Sequence, residues 1–134
     1  MAKLVLIEDD PIMIRMYEKA FSFEGHKVET ANNGADGIKK IKQMKPDLVL
    51  LDIMMPKMNG LEVLDKLKGT DDTKDVPVVV LTNLASEKDA EAALSKGAVR
   101  YIIKSEQDPK EVNDIVTEIL AGYTRNDIPT NKGE

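Results

Sequence analysis

Asp47-Leu48-Val49-Leu50-Leu51-Asp52, followed by Ile53-Met54-Met55-Pro56, is the stretch on which the fold turns. Four apolar residues run unbroken between two acids, the pattern of a strand buried on both faces of a parallel sheet. In open α/β sheets, ligands bind beyond the carboxyl ends of the strands, so the acid closing this strand is placed for chemistry. Taken alone, Asp52 is better explained as a solvated carboxylate at a strand end. The rest of the chain decides between the two readings.

Upstream, Leu4-Val5-Leu6-Ile7 is a second all-apolar strand, ending at Glu8-Asp9-Asp10. Asp10-Pro11 then reads as the N-cap and first-turn proline of a helix that stops at Gly25. Its inner face is expected on Ile12, Met16, Ala20 and Phe23, widened by Met13, Tyr17 and Phe21, with Ile14 at the edge. Val28-Glu29-Thr30-Ala31 alternates apolar and polar, as a half-buried edge strand does. After the Asn33-Gly34 turn, a helix carrying Ile38, Ile41 and Met44 ends at the pre-proline Lys45.

Downstream, Asn59 and Glu62 are spaced as a capping box for a third helix, whose Leu61, Leu64 and Leu67 face inward and which Gly69 stops. Past the polar loop 70–75, Val78-Val79-Val80-Leu81-Thr82 is as apolar as the first and third strands. Ser86 with Asp89 caps a short, alanine-rich helix stopped by Gly97. Val99 to Ile103 is a more mixed strand ending at Lys104. Asp108-Pro109 with Glu111 opens a last helix with an apolar stripe of Val112, Ile115, Val116, Ile119 and Leu120.

This alternation is (βα)5, which requires a parallel sheet with helices on both faces and right-handed crossovers. The three uniformly apolar strands belong in the middle and the two mixed ones at the edges. That fits the order 2-1-3-4-5, a flavodoxin-like doubly wound sheet whose switch point lies between strands one and three. The α/β domain is expected over residues 3–122, with a polar tail over 123–134.

A chain of 134 residues suits one domain with a core of its own. Hydrophobic residues at 42% and charged residues at 32% describe an ordinary globular balance, against disorder and membrane residence. The net charge of −5 disfavours direct nucleic-acid binding, and the absence of cysteine excludes disulfides and thiolate metal sites. The first ten residues do not form a signal peptide, and no apolar run approaches the ~20 residues that span a bilayer. A cytoplasmic protein is expected.

In the proposed strand order, Glu8, Asp9 and Asp52 meet at the switch point, with Thr82 and Lys104 arriving from the next two strands. Three neighbouring carboxylates repel, and a cation relieves them. Oxygen ligands without His or Cys suit Mg²⁺ or Mn²⁺, and Mg²⁺ characteristically pairs with phosphate. Lys104 and Thr82 would stabilise the equatorial oxygens of a phosphoryl group, and Asp52 would accept it as an acyl phosphate. Each residue has an ordinary structural explanation, but five together require five coincidences.

These residues resemble the response-regulator receiver domain of bacterial two-component signalling, over roughly Lys3 to Gly122. The resemblance rests on Glu8-Asp9, on Asp52 with Met54-Met55-Pro56 and Asn59-Gly60, on Thr82, and on Lys96-Gly97-Ala98 leading to Tyr101 and Lys104. It implies that Asp52 is the phosphoacceptor and that Mg²⁺ is held by Asp9, Asp52 and the Met54 backbone carbonyl, with Glu8 acting partly through water. Lys104 would bridge to the phosphate, and Thr82 and Tyr101 would form a switch pair that remodels the surface of helix four, strand five and helix five. It further implies a histidine kinase or phosphotransfer protein as donor, a downstream protein partner, and room for phosphorylation-dependent homodimerisation. Such a protein is no conventional enzyme; it catalyses its own phosphorylation and dephosphorylation.

Asp10 is left as the helix cap. Ser105 stands where the family usually has proline, which argues against a cis peptide there, since that bond costs ~3 kcal/mol before a non-proline residue. Asn83 replaces a usually small residue and, with Met54, is a candidate for tuning phosphoryl lifetime. Ile14 beside Phe21 is a candidate docking patch, equally well explained as packing at the core's rim. His26 reads as an exposed bystander. The competing readings are a Mg²⁺-dependent phosphatase with an Asp nucleophile, an FMN carrier and a degenerate receiver that only binds partners. The phosphatase wants an acid at Met54, the FMN phosphate would meet Glu8-Asp9-Asp10, and the intact site argues against degeneracy. With no DNA-binding segment after Gly122, the expected output is a protein partner, or else the chain is part of something longer.

Overall fold

A computed structural model describes residues 2–55, 59–82 and 87–122. The five strands are β1 (Lys3–Ile7), β2 (Lys27–Ala31), β3 (Leu48–Asp52), β4 (Val78–Thr82) and β5 (Arg100–Ile103). The helices are α1 (Pro11–Phe23), α2 (Gly34–Met44), α3 (Gly60–Lys68), α4 (Glu87–Ser95) and α5 (Pro109–Leu120). All strand pairs are parallel, in the order β2-β1-β3-β4-β5, as the sequence predicts. β3 and β4 are buried at every position and β2 only at its last.

Strand alternation splits the core in two. Leu4, Leu6, Leu48, Leu50, Val79, Leu81 and Ile102 pack beneath α1 and α5. Val5, Ile7, Val49, Leu51, Val78 and Val80 pack against α2, α3 and α4. Alternation along each strand therefore fixes which helix layer every side chain meets.

The caps are as expected for α1, α3 and α5. Asp10 accepts from the Ile12 N–H at 2.9 Å, and Asn59–Glu62 and Asp108–Glu111 both close reciprocal capping boxes. Asn33 proves to be the N-cap of α2, with Gly34 its first residue. β5 begins one residue later than expected, at Arg100. The Ser86 cap and the tail 123–134 lie outside the described residues.

Helix α1 corrects the expected rotation. Its buried residues are Tyr17 and Phe21, stacked with ring centroids 5.8 Å apart, whereas Ile12, Met16 and Phe23 face outward, Phe23 at 88% exposure. The apolar residues of α1 cover more than half of its circumference, opposite Arg15, Glu18, Lys19 and Ser22, so its own periodicity does not set which part of that wide face meets the sheet. Phe21 consequently leaves the proposed docking patch, and Ile14 is half-buried in a cleft shared with Thr30, Asp36 and Lys40. His26 is also corrected: it is half-buried, and its Nδ1 accepts the Ala2 N–H at 3.2 Å.

Candidate phosphoacceptor site

The chemistry gathers where the apolar rows of the sheet end. Glu8 follows Leu4 and Leu6, Asp52 follows Leu48 and Leu50, and Lys104 follows Ile102, so all three continue the row facing α1 and α5. The ladder holds them there: Glu8 N–H donates to the Ala31 carbonyl at 3.0 Å and Lys104 N–H to the Thr82 carbonyl at 2.7 Å. Thr82 and Tyr101 belong to the opposite row. β4 and β5 pair Val80 with Tyr101 and Thr82 with Ile103, which places the hydroxyl and the ring diagonally on the α4 side.

Burial makes these charges consequential. Glu8 is 1% and Asp52 2% exposed, and Thr82 and Lys104 are also buried. Lys104 Nζ lies 2.7 Å from Glu8 Oε1 and 3.5 Å from Asp52 Oδ2, so the lysine is shared and leans towards Glu8. The Met54 N–H donates to Asp52 Oδ1 at 2.9 Å, and the Asp10 N–H donates to Glu8 Oε2 at 3.2 Å. Desolvation pushes the Asp52 carboxyl up to about 7; Glu8 adds to the rise, while the Met54 N–H and Lys104 oppose it. One lysine is not enough positive charge for the acids around it.

Asp9, half-buried, completes an all-carboxylate group with Glu8 and Asp52, whose nearest oxygens lie within 4.8 Å of one another. The donor set and the raised Asp52 pKa both fit a hard divalent cation and do not fit a soft metal. Tyr17, beneath this group on α1, is pushed up to about 12 by burial, then by Glu8 and Asp52.

Gly60 is a contributor that spacing alone does not reveal. Its N–H donates to the Ile53 carbonyl at 3.1 Å, and a Cβ there would overlap Ile53 Cα and sit 2.7 Å from the Asp52 carbonyl oxygen. Only a residue without a side chain lets α3 start against the end of β3. Met54 is half-exposed, Tyr101 is outward at 39% exposure, and the Lys104–Ser105 peptide is not cis. Asn83 lies outside the described residues.

Residues 4–117 match the family model of the response regulator receiver domain. The chain belongs to that family. Among curated relatives, the receiver is 36% identical over 107 residues to the transcriptional regulatory protein AfsQ1 of Streptomyces coelicolor, covering 80% of this chain and 46% of that protein. It is 32% identical over 122 residues to the protein PilH of Pseudomonas aeruginosa, covering 91% of this chain and all of PilH. It thus spans about half the length of the transcriptional regulators it matches. Among solved structures, the BeF3-activated N-terminal receiver domain of RstA from Klebsiella pneumoniae superposes with a TM-score of 0.80 at 31% identity, over 88% of this chain and 97% of that one. Receiver domains are signalling domains and generally not conventional enzymes, so the phosphatase and FMN readings are not favoured. No helix among the described residues is long and apolar enough to cross a membrane.

Proposed function

We propose that Asp52 accepts a phosphoryl group from a phosphohistidine donor, a histidine kinase or phosphotransfer protein, and returns it to water. The observation that carries this reading is the convergence of Glu8, Asp9, Asp52 and Lys104 on the carboxyl edge of the sheet. A carboxylate oxygen of Asp52 attacks phosphorus, the P–N bond breaks, and its electron pair stays on the imidazole nitrogen. Hydrolysis reverses the capture: water attacks phosphorus, the O–P bond breaks, and Asp52 regains its carboxylate. The Met54 N–H fixes the carboxylate plane, and Lys104 stands 3.5 Å from it, ready to pair with phosphoryl oxygens.

Glu8, Asp9, Asp52 and the Met54 carbonyl would hold Mg²⁺, or Mn²⁺ in its place. When bound, the ion neutralises charge on the phosphoryl oxygens. Glu8 keeps Lys104 positioned beside Asp52 in the meantime.

Thr82 and Tyr101 serve as the switch. A phosphoryl group on Asp52 draws the Thr82 hydroxyl, and the vacated space on the α4 side admits the Tyr101 ring, which stands outward in this structure. The surface of α4, β5 and α5 changes accordingly and addresses a downstream protein, or a second copy of the chain. Donor docking is assigned to α1, where Ile12, Met16 and Phe23 share one exposed face, in place of Ile14 and Phe21. Met54 and Asn83 are proposed to tune how long the phosphoryl group survives.

Intact mass after incubation with a small phosphodonor and Mg²⁺ tests the reading. One phosphoryl group per chain, alkali-labile and absent in Asp52→Asn, is expected. No gain under any condition would return the chain to a degenerate receiver that only binds partners.

A further inference from the structure

The row of the sheet that ends in Glu8 and Asp52 meets a further polar group on α1. Tyr17 is 1% exposed and packs in the cluster of Leu4, Leu6, Leu48 and Leu50, the residues that lead into those two acids. The Cα–Cβ bond of a helical residue tilts towards the helix N-terminus, and α1 begins at Pro11, directly after Glu8, Asp9 and Asp10. The Tyr17 side chain therefore leads up the row towards the acids. Phe21, one turn further from them, stacks on its ring at 5.8 Å and 11° and fixes it. The carboxylates are felt at the phenol: after burial, Glu8 and then Asp52 hold its pKa up at about 12, so the hydroxyl keeps its proton and remains a donor. Buried tyrosine hydroxyls ordinarily find a partner, yet among the described residues none bonds this one. Glu8 has the capacity to accept it. Its Oε1 accepts from Lys104 at 2.7 Å and its Oε2 from the Asp10 N–H at 3.2 Å, and each carboxylate oxygen offers two lone pairs.

We infer that Tyr17 is a positioning residue of the phosphoacceptor site: its buried hydroxyl donates to Glu8 when that carboxylate turns from Lys104 to a divalent cation, and so holds Glu8 in place as a ligand. The inference rests on the reading of Glu8, Asp9 and Asp52 as ligands of that cation. In the resting structure Lys104 pairs with Glu8, and the hydroxyl is not called upon. Once Lys104 pairs with phosphoryl oxygens instead, Glu8 is an anion at 1% exposure, and a buried anion short of donors is costly. The phenol supplies a donor without adding charge. It does so at a fixed position, because Phe21 and the leucines of the row already hold the ring. Tyr17 touches neither the cation nor the phosphoryl group. It acts through Glu8, and partners of a metal ligand are worth about 10–100-fold in metal affinity.

Tyr17→Phe in the full chain tests this, since it keeps the ring and its stack and removes only the hydroxyl. Mn²⁺ affinity, read by electron paramagnetic resonance, is expected to fall about tenfold. Denaturant unfolding of the metal-free variant should match or exceed the wild type, because the hydroxyl has no partner at rest among the described residues. Tyrosine difference absorbance on addition of Mg²⁺ should appear in the wild type and be absent from the variant. The Mg²⁺ concentration giving half-maximal phosphorylation by a small donor should rise by the same factor, with the rate at saturating Mg²⁺ kept within about twofold. Equal Mn²⁺ affinity in the two proteins overturns the inference, as does a tyrosine signal that survives in the variant. A loss of metal-free stability matching the loss of affinity also overturns it, and makes Tyr17 a packing residue only. A wild type that binds neither Mn²⁺ nor Mg²⁺ overturns the reading of the acid cluster itself, and the role of Tyr17 with it.

Discussion

Replacing Asp52 with Asn is expected to stabilise the metal-free protein at neutral and alkaline pH. The carboxyl titrates near 7 in the fold against 3.8 as its ordinary value. A raised carboxyl pKa means the folded chain holds the proton more tightly than the unfolded chain, so stability is highest below the unfolded value and falls as pH rises through the folded one. Three pK units correspond to about 4 kcal/mol, a ceiling reached above about pH 7. Lys104 loses its contact with Asp52 in the variant but keeps Glu8 at 2.7 Å, so it is not stranded. That loss, even with the amide oxygen of the variant still accepting the Met54 N–H, brings the expected gain to ~1–3 kcal/mol at about pH 8. Denaturant unfolding of both proteins across pH measures it. The gain should shrink towards zero at about pH 4, where Asp52 is protonated. Mg²⁺ at about ten times its dissociation constant should raise the wild type by ~1.4 kcal/mol and the variant by much less. A variant less stable than wild type at about pH 8, or a difference that does not vary with pH, would refute the assignment of Asp52 as a strained buried anion.

Lys104→Met leaves Glu8 buried without its cation and is expected to cost ~3–5 kcal/mol, recovered in part by Mg²⁺, as thermal unfolding with and without the ion would show. Gly60→Ala forces a methyl group into Ile53 and the Asp52 backbone; a loss of ~2 kcal/mol or more and slower phosphorylation by a small donor are expected, the latter read by intact mass over time. Asp108→Ala breaks the capping box of α5 and should lower unfolding free energy by ~1 kcal/mol without changing the phosphorylation rate.

Strand order was legible because burial writes itself into composition: Leu48–Leu51 and Val78–Leu81 admit no solvent-facing position, and Lys27–Ala31 does. The gathering of Glu8, Asp9, Asp52 and Lys104 followed from that order, since each closes or follows its strand. Helix rotation was less legible. In α1, Ile12, Met13, Ile14, Met16, Tyr17, Phe21 and Phe23 offer several apolar faces, and the choice of Tyr17 and Phe21 is made by Leu4, Leu6 and α5 rather than by α1 itself. The preference of Lys104 for Glu8 over Asp52 is a matter of side-chain reach that spacing does not encode. Asn113, buried on α5 with no partner for Oδ1 among the described residues, gave no signal in an otherwise regular stripe. Gly60 was visible as a residue, but its need to lie against Ile53 is tertiary.

The two helix layers meet different rows of the same sheet, with the acids and Lys104 continuing one row and Thr82 and Tyr101 the other. The sheet therefore separates the acids and Lys104 from Thr82 and Tyr101. A protein seated along α1 and one seated over α4 would not compete for space, so the chain could be charged by one while held by the other. Substitutions confined to the outer face of α4 would leave Glu8, Asp9, Asp52 and Lys104 untouched. On the function proposed above, that separation would let one phosphoryl chemistry serve several readers.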